Sequence, residues 1–310
     1  MDPEAPLLST ARKPAAVRSR LRDLVATARP WQWTKNAVCL AALVFAGRLR
    51  DPHAVVLALL TVAAFCLASS AVYVFNDVRD RDEDRVHPRK RERPVAAGRL
   101  GVPAALVEAA VLAASSLSVV MLLAPRVRVL LGGYLSLHLA YSLGLKRLPL
   151  LDVIAIALGF VLRVQAGIEA IAAPQSAWIV LCMFFAALFL GWGKRRAELG
   201  EVPGGTARLH RRTLGAYSVG LLDVLLGLSA GTAIVCYSLY AVTVQRDEAF
   251  LLTILPVVFG IGRYLMLVMA QARSVDPDEL LVGDAPLAVA IAVWAALSIA
   301  VLYGGLSLVP

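Results

Sequence analysis

Residues 76–84 read NDVRDRDED, and this acidic stretch directly follows an apolar run from Val55 to Phe75. A run of that length is long enough to cross a bilayer as a helix. Carboxylates gathered at the end of such a helix repel one another. Their placement therefore favours a positively charged ligand that offsets this repulsion. The basic stretch HPRKRERP at 87–94 follows at once and brings cations beside the acids.

The spacing of the acids predicts a shared face. If the helix continues through the acidic stretch, Asp77, Asp80 and Asp84 lie on one side, with Asn76 beside them and Asp82 opposite. Mg²⁺ prefers oxygen ligands, usually one or two carboxylates completed by water and substrate phosphates. We therefore predict that the three aspartates bind Mg²⁺ and serve catalysis. The alternative is a solvated helix end whose acids pair with the arginines between them.

The composition indicates an all-α polytopic membrane protein. Of the 310 residues, 59% are hydrophobic, which excludes a soluble domain with one large core. We predict a disordered basic cytoplasmic tail at 1–28, which lacks the apolar core of a signal peptide, and a single transmembrane domain at 29–310. Nine spans are predicted, at 35–49, 54–76, 103–124, 128–145, 150–171, 177–193, 215–244, 249–270 and 286–308.

The distribution of Lys and Arg orients the spans. With the N-terminus in the cytoplasm, most of the 31 cations lie on the cytoplasmic side. The cations on the opposite side are Arg48, Arg50, Arg126, Arg128 and Arg246. This predicts a plasma (inner) membrane protein with a cytoplasmic active site and an outer C-terminus. The net charge of +9 suits a phosphorylated substrate or an anionic leaflet, and nucleic acid is not an expected partner.

Further polar residues cluster at the cytoplasmic ends of the predicted spans. Lys194 and Arg195 share a helix face with Glu198, which is a candidate to complete a metal shell; the alternative is a helix-end salt bridge. The candidate substrate ligands are Lys35, Asn76, Lys90, Arg93, Tyr141, Lys146, Lys194, Arg195, Glu198, Arg212 and Tyr217. Arg163 lies about halfway across a span, and we expect it to be a structural hydrogen-bond hub. The Gly-rich segment 199–214 is a candidate lid or connector.

Three motifs resemble the UbiA superfamily of membrane-embedded transferases. They are N-D-x-x-D-x-x-x-D at 76–84, Arg93-Pro94 before a Gly, and Y-x-x-x-x-K at 141–146. The resemblance extends over essentially the whole chain after residue 28. It implies nine transmembrane helices, Mg²⁺ and a cytoplasm-facing cavity. Ordinary prenyltransferases of the superfamily carry a second Asp-rich motif at the end of the sixth span, where this chain has GKRRAEL at 193–199.

Four stretches together resemble the branch of the superfamily that acts on decaprenyl phosphate: RPWQWTKN at 29–36, NDVRDRDEDRVHPRKRERPVAAG at 76–98, YSLGLK at 141–146 and GKRRAEL. The resemblance implies transfer of 5-phosphoribosyl from 5-phosphoribosyl 1-diphosphate to a polyprenyl (decaprenyl) phosphate, releasing diphosphate. The product would feed decaprenylphosphoryl-arabinose and cell-wall arabinan, the arabinogalactan component. A donor phosphorylated at both ends needs additional cations, which Lys194 and Arg195 supply.

Two alternatives remain open. One is a UbiA prenyltransferase that moves an isoprenyl group to an aromatic or tetrapyrrole acceptor, and the other is a non-catalytic transporter or scaffold. A homotrimer is possible for this branch, although no residue argues for it.

Overall fold

A computed structural model describes residues 13–87, 90–201, 212–245, 247–270 and 283–304, and every element within these ranges is helical. We number the α-helices α1 Lys13–Ala28, α2 Ala41–Phe45, α3 Pro52–Arg79, α4 Arg81–Val86, α5 Val102–Val120, α6 Pro125–Leu143, α7 Leu151–Ala170, α8 Ala177–Glu201, α9 Val219–Tyr240, α10 Ile254–Ala270 and α11 Ala285–Gly304. Shorter 3₁₀ segments are Pro30–Leu40, Lys90–Glu92, Leu145–Arg147, Arg212–Ala216 and Glu248–Thr253. A π-helical turn, Ala241–Gln245, follows α9.

The chain divides into two compact units. The first unit comprises Met1–Trp33 and Cys66–Ser115, and the second comprises Thr34–Phe65 and Ser116–Pro310.

In the first unit, helix α1 contradicts the predicted disordered tail for Lys13–Ala28. Leu24 packs against a buried apolar cluster built around Val74 and Val95. Thr27 Oγ1 donates a hydrogen bond to Glu108 Oε2 at 2.9 Å. Alanine, leucine and arginine are good helix formers, and these tertiary contacts supply the stabilisation that a short isolated helix lacks.

In the second unit, α8 packs against α7 and α9, and α6 packs against α7. Close approach depends on Gly167 of α7, where an added Cβ would lie 2.0 Å from the carbonyl oxygen of Cys39. Two apolar clusters fill this unit, one built around Trp192 and Leu222 and the other around Tyr240 and Phe250. These contacts fix the ends of α7, α8 and α9, which carry the polar residues considered below.

Among the described residues, seven helices are long and apolar enough to cross a membrane, judged by length and composition. They are Pro52–Arg79, Val102–Val120, Leu151–Ala170, Ala177–Gly200, Val219–Gln245, Glu248–Ala270 and Ala285–Gly304. The predicted span 35–49 is instead a 3₁₀ segment followed by the five-residue α2. The predicted span 128–145 corresponds to α6, which is 19 residues long but less apolar because it carries Arg126, Arg128 and His138.

Candidate active site

The acidic stretch of the first unit does not form the uninterrupted helix that its spacing predicts. Helix α3 ends at Arg79, and Asp80, with φ −95° and ψ 6°, precedes the short helix α4. The Asp80 N–H still donates to the Asn76 carbonyl at 2.8 Å, and the Asp84 N–H donates to the Asp80 carbonyl at 2.8 Å. Because a new helix begins after the break, the negative side chains in the first turn of α4 are stabilised by the positive end of its helix dipole.

Two of the three predicted aspartates are buried together around one arginine. Asp77 is 2% exposed and Asp84 is 3% exposed. Arg93 Nη1 lies 2.7 Å from Asp84 Oδ2 and 3.2 Å from Asp77 Oδ1. Arg29 Nη2 donates a further hydrogen bond to Asp77 Oδ1. Each buried carboxylate thus has a guanidinium partner, as ions removed from water require.

Arg29 also contacts an aromatic ring of the first unit. Its guanidinium lies over the Tyr73 ring, 5.3 Å from the centroid. Burial lowers the pKa of Arg29, and the charge of Asp77 opposes that shift. Arg29 begins the stretch RPWQWTKN but is not among the predicted site residues.

Two of the remaining acids, Asp80 and Asp82, differ in exposure. Asp82 is exposed and pairs with Arg81 and Arg85, so it points away from the buried aspartates. Asp80 is half-buried, and Lys90 is half-buried on its 3₁₀ turn. The side-chain oxygen of Asn76 is buried and has no hydrogen-bond partner. Asn76 immediately precedes Asp77, so this unpartnered acceptor adjoins a buried carboxylate in the sequence.

The oxygen ligands of the first unit fit Mg²⁺ only if substrate phosphates and water complete the coordination shell. Within the described ranges, no group of three or more His, Cys, Asp or Glu side chains could hold a metal ion. Mg²⁺ is commonly held by one or two carboxylates, with substrate phosphates and water completing the shell. Asp77 and Asp84 supply the one or two carboxylates that this arrangement needs, and the unpartnered oxygen of Asn76 supplies a further oxygen ligand.

The second unit contains a buried polar network centred on Asp152, a residue that is not among the predicted site residues. Asp152 lies in the first turn of α7, after Leu150, whose φ is +67°. Gly191 of α8 permits close packing here, because an added Cβ would lie 2.4 Å from Val153 Cγ1. The approach brings the GKRRAEL stretch at the end of α8 to the start of α7.

Asp152 contacts two predicted site residues, Arg195 and Tyr217, and a third, Glu198, is linked to it through Arg195. Arg195 Nε donates to Asp152 Oδ2 at 2.9 Å, and Arg195 Nη1 donates to Glu198 Oε2 at 2.8 Å. Tyr217 Oη donates to Asp152 Oδ1 at 2.8 Å and accepts from the Leu150 N–H at 2.6 Å. Burial raises the pKa of Tyr217 to about 12, which keeps this hydroxyl protonated as a donor. Arg195 is therefore held by carboxylates within the described network, a geometry suited to positioning its neighbours.

The other predicted ligands are distributed along the second unit. Lys35, Tyr141, Lys146 and Lys194 are all half-buried. The Arg212 side chain lies outside the described residues, as do residues 202–211 of the predicted lid.

Arg163 is the hydrogen-bond hub that the sequence predicts. Its Nε donates to Asn36 Oδ1 at 2.7 Å, and its Nη2 donates to Tyr134 Oη at 2.8 Å. The guanidinium also lies over the rings of Tyr134 and Phe160, at 4.6 and 5.1 Å from their centroids. Arg163 thereby ties Asn36 of the first 3₁₀ segment to α6 and α7.

Residues 36–195 match the UbiA prenyltransferase family. This chain belongs to the UbiA prenyltransferase family. The resemblance drawn from its motifs is confirmed.

Named relatives of this UbiA family member extend over nearly its whole length. The decaprenyl-phosphate phosphoribosyltransferase of Mycolicibacterium smegmatis is 34% identical over 292 residues, covering 89% of this chain and 91% of that protein. The protein of the same name from Mycobacterium tuberculosis H37Rv is 35% identical over 281 residues, covering 88% and 92%. A UbiA homolog from Archaeoglobus fulgidus, solved with DMAPP and Mg²⁺ bound, shares the fold with a TM-score of 0.71 at 19% identity, covering 90% of this chain and 99% of that one.

The family match includes the carboxylates of both units. Asp77 and Asp84 of the first unit lie within it, as does Asp152 of the second. The match ends at Arg195, so Tyr217 lies beyond it. The UbiA segment therefore contains most of the buried polar groups described above.

Proposed function

We propose that this UbiA family member transfers the 5-phosphoribosyl group from 5-phosphoribosyl 1-diphosphate to a polyprenyl phosphate and releases diphosphate. The observation that carries the proposal is 34% identity to the Mycolicibacterium decaprenyl-phosphate phosphoribosyltransferase across 89% of this chain. The relative's name makes decaprenyl phosphate the first acceptor to test. The product would enter synthesis of decaprenylphosphoryl-arabinose and cell-wall arabinan.

In this proposal the first unit binds the metal. Asp77, Asp80 and Asp84 would hold Mg²⁺, and the Asn76 oxygen would add a neutral ligand. Bound Mg²⁺ supplies Lewis-acid stabilisation of the charge on departing diphosphate. Arg93 donates a hydrogen bond to Asp84 and pairs with Asp77, and Arg29 donates a hydrogen bond to Asp77, so the two arginines would orient these metal ligands.

The chemistry is a displacement at the ribose C1. The bond from C1 to the diphosphate oxygen breaks, and the electron pair leaves with diphosphate. An oxygen of the lipid phosphate forms the new bond from the opposite face, which inverts the anomeric centre. Positive charge develops on the sugar ring as in other glycosyl transfers. The attacking phosphate is already ionised, so the chain need not supply a strong general base.

Cations and hydroxyls of this chain would bind the remaining phosphate charge. The proposed contacts are Lys35, Lys90, Tyr141, Lys146, Lys194 and Arg212. Arg195 has a different role, since its guanidinium is already bonded to Asp152 and Glu198. It positions the end of α8, which carries Lys194, while Tyr217 anchors Asp152 from the other side.

The proposed setting is the plasma (inner) membrane. The seven apolar helices, together with α6 and the 35–49 segment, would give nine membrane-embedded segments, with the N-terminus and a substrate cavity facing the cytoplasm. This orientation rests on the distribution of Lys and Arg. A fluorescent tag on each terminus with accessibility labelling from either side tests it. Finding both termini on one side would contradict nine crossings.

The donor substrate that the protein uses distinguishes phosphoribosyl transfer from prenyl transfer. Purified protein in lipid nanodiscs is given decaprenyl phosphate and ribose-labelled 5-phosphoribosyl 1-diphosphate, or labelled geranyl diphosphate with an aromatic acceptor. Ribose label in the lipid fraction is the expected result. Incorporation of isoprenyl label without ribose label would replace the proposal with prenyl transfer.

A further inference from the structure

Helix α1 presents an exposed apolar strip although its other side packs against the first unit. Leu24 contacts a buried apolar cluster, and Thr27 is bonded to Glu108. Leu21 and Val25 are four residues apart and therefore share one side of the helix. Their exposed fractions are 62% and 49%, so both side chains remain accessible in the part of the chain that the structure describes.

Exposed arginines accompany the apolar strip. Arg20 and Arg22 are exposed, and within the described ranges neither has a carboxylate at ion-pair distance. Asp23 is the one acidic residue of α1, and it is already paired, since Arg99 Nε lies 3.1 Å from Asp23 Oδ1. The accessible side of α1 is consequently both apolar and positively charged.

Two tryptophans extend this surface past the end of α1. Trp31 and Trp33 are 58% and 40% exposed. Trp33 is fixed in place, because its Nε1 donates to Ser70 Oγ at 2.9 Å and Ser70 Oγ donates to the Ala28 carbonyl at 2.7 Å. Tryptophan is enriched where membrane proteins meet lipid headgroups. We define the α1 face as Arg20, Leu21, Arg22, Val25, Trp31 and Trp33.

The contacts of α1 with α3 place the α1 face at the membrane boundary. Helix α3 has 28 residues and is about 42 Å long, roughly 12 Å more than the hydrocarbon core of a bilayer. Its polar end at Arg79 therefore extends into the headgroup region. Val74, in the cluster that Leu24 contacts, and Ser70, which bonds to Ala28, lie about 8 and 14 Å along the helix from Arg79. The α1 face is thus level with the headgroups and the edge of the hydrocarbon.

We infer that the α1 face rests on an anionic phospholipid leaflet, with Leu21 and Val25 against the outermost acyl-chain carbons and the arginines against lipid phosphates. A zwitterionic leaflet accepts the apolar side chains but offers the arginines no net counter-charge. A second copy of the chain fits less well, because a two-fold contact through this face would bring like charges together. The inference does not depend on the proposed transferase activity.

Fluorescence quenching by spin-labelled lipids tests the contact with the membrane. The fluorophore NBD is attached to Leu21→Cys, Val25→Cys or Asp82→Cys of the full-length protein, with one copy in each nanodisc of phosphatidylcholine and phosphatidylglycerol. The unsubstituted protein, treated in the same way, gives the background from its native cysteines. Doxyl groups near the glycerol backbone should quench positions 21 and 25 strongly. They should quench position 82 weakly, because Asp82 is a 74% exposed, ion-paired residue of α4.

A comparison of two quenchers tests the role of charge. In the same mixed membrane, the doxyl group is carried either by phosphatidylglycerol or by phosphatidylcholine. One cation near an anionic surface contributes about fivefold to binding, so the phosphatidylglycerol quencher should act roughly fivefold more strongly on position 25. Arg20→Gln combined with Arg22→Gln should remove this preference. The control pair, Arg79→Gln with Arg91→Gln, removes two exposed cations elsewhere in the same unit and should retain it.

Two results would overturn the inference. Equally weak quenching at positions 21, 25 and 82 would show that the α1 face does not lie on lipid, and would leave it to a second copy or another protein. Equal quenching of position 25 by the two lipids, or a preference that survives loss of both arginines, would show that anionic lipid is not selected. If the arginine variant fails to fold, as judged by gel filtration, the two quenchers still decide on the protein that keeps both arginines.

Discussion

The guanidinium of Arg195 lies 2.9 Å from the carboxylate of Asp152, and the two side chains are 2% and 0% exposed. The next residue on α8, Arg196, pairs with Asp223 at 2.8 Å, but there the side chains are 16% and 34% exposed. Consecutive arginines thus form one buried and one partly exposed ion pair within the same unit. Burial is the main difference between them, which makes the second pair a control for the first.

Asp152→Asn should destabilise the protein by about 3 kcal/mol, because it leaves Arg195 buried with only part of its counter-charge. Asp223→Asn should cost at most about 1 kcal/mol, since water screens that pair. Unfolding in mixed detergent micelles measures both free energies. Equal losses in the two variants would show that the buried network is no more important to stability than the outer pair.

Arg93 should be needed for activity because it holds both buried aspartates of the first unit. Arg93→Ala should lower kcat/KM at least tenfold, or about 1.4 kcal/mol of transition-state stabilisation. Arg93→Lys keeps the charge but not the planar guanidinium, so it should recover only part of the loss.

Arg91 provides the matched control for Arg93. Its side chain is exposed and lies near the exposed Glu92, so Arg91→Ala should change kcat/KM less than twofold. If Arg91→Ala and Arg93→Ala have the same effect, the basic stretch acts through its net charge and not through the geometry of Arg93.

Asp77→Asn should reduce turnover by about two orders of magnitude and raise the Mg²⁺ concentration needed for half-maximal rate, because it removes a proposed metal ligand. Asp82→Asn should leave both quantities near wild type, since Asp82 is exposed and points away. The measurement is initial rate against MgCl₂ concentration for the two variants. An Asp77→Asn enzyme with a normal Mg²⁺ response would remove Asp77 from the metal site.

Lys194→Ala should raise the KM for the sugar donor or lower kcat by about a decade, equivalent to ~1.4 kcal/mol. Arg147→Ala is the comparison, because Arg147 is an exposed cation near the end of α6. Steady-state kinetics with varied donor concentration separates KM from kcat. Unchanged kinetics in Lys194→Ala would leave that lysine with a role in membrane topology alone.

Local patterns in the sequence predicted much of the first unit's acidic end. The apolar run and the carboxylate spacing located the end of α3 and separated Asp82 from Asp77 and Asp84. They did not predict the break at Asp80, which depends on how the chain turns into α4. The basic composition of residues 1–28 suggested disorder, but Leu24 and Thr27 find tertiary partners that composition cannot show.

Asp152 could not be recognised in the same way. It is a lone carboxylate at the start of an apolar run, and its partners Arg195 and Tyr217 are 43 and 65 residues away in the sequence. Spacing within one helix reveals clusters such as Arg195 with Glu198, but a network assembled from three segments depends on the packing of α7 against α8. The only signal was the cost of burying an unpaired charge, which implied that Asp152 had a partner without naming it.

The most direct test of the proposed reaction follows two phosphorus labels. Donor labelled either on the 5-phosphate or on the terminal phosphate of the diphosphate is incubated with the purified protein, Mg²⁺ and decaprenyl phosphate, and the lipid and aqueous fractions are separated. Transfer of phosphoribose predicts that the 5-phosphate label enters the lipid while the terminal label appears as free diphosphate in equal amount. Terminal label in the lipid, or no label from either donor there, would contradict the proposed reaction.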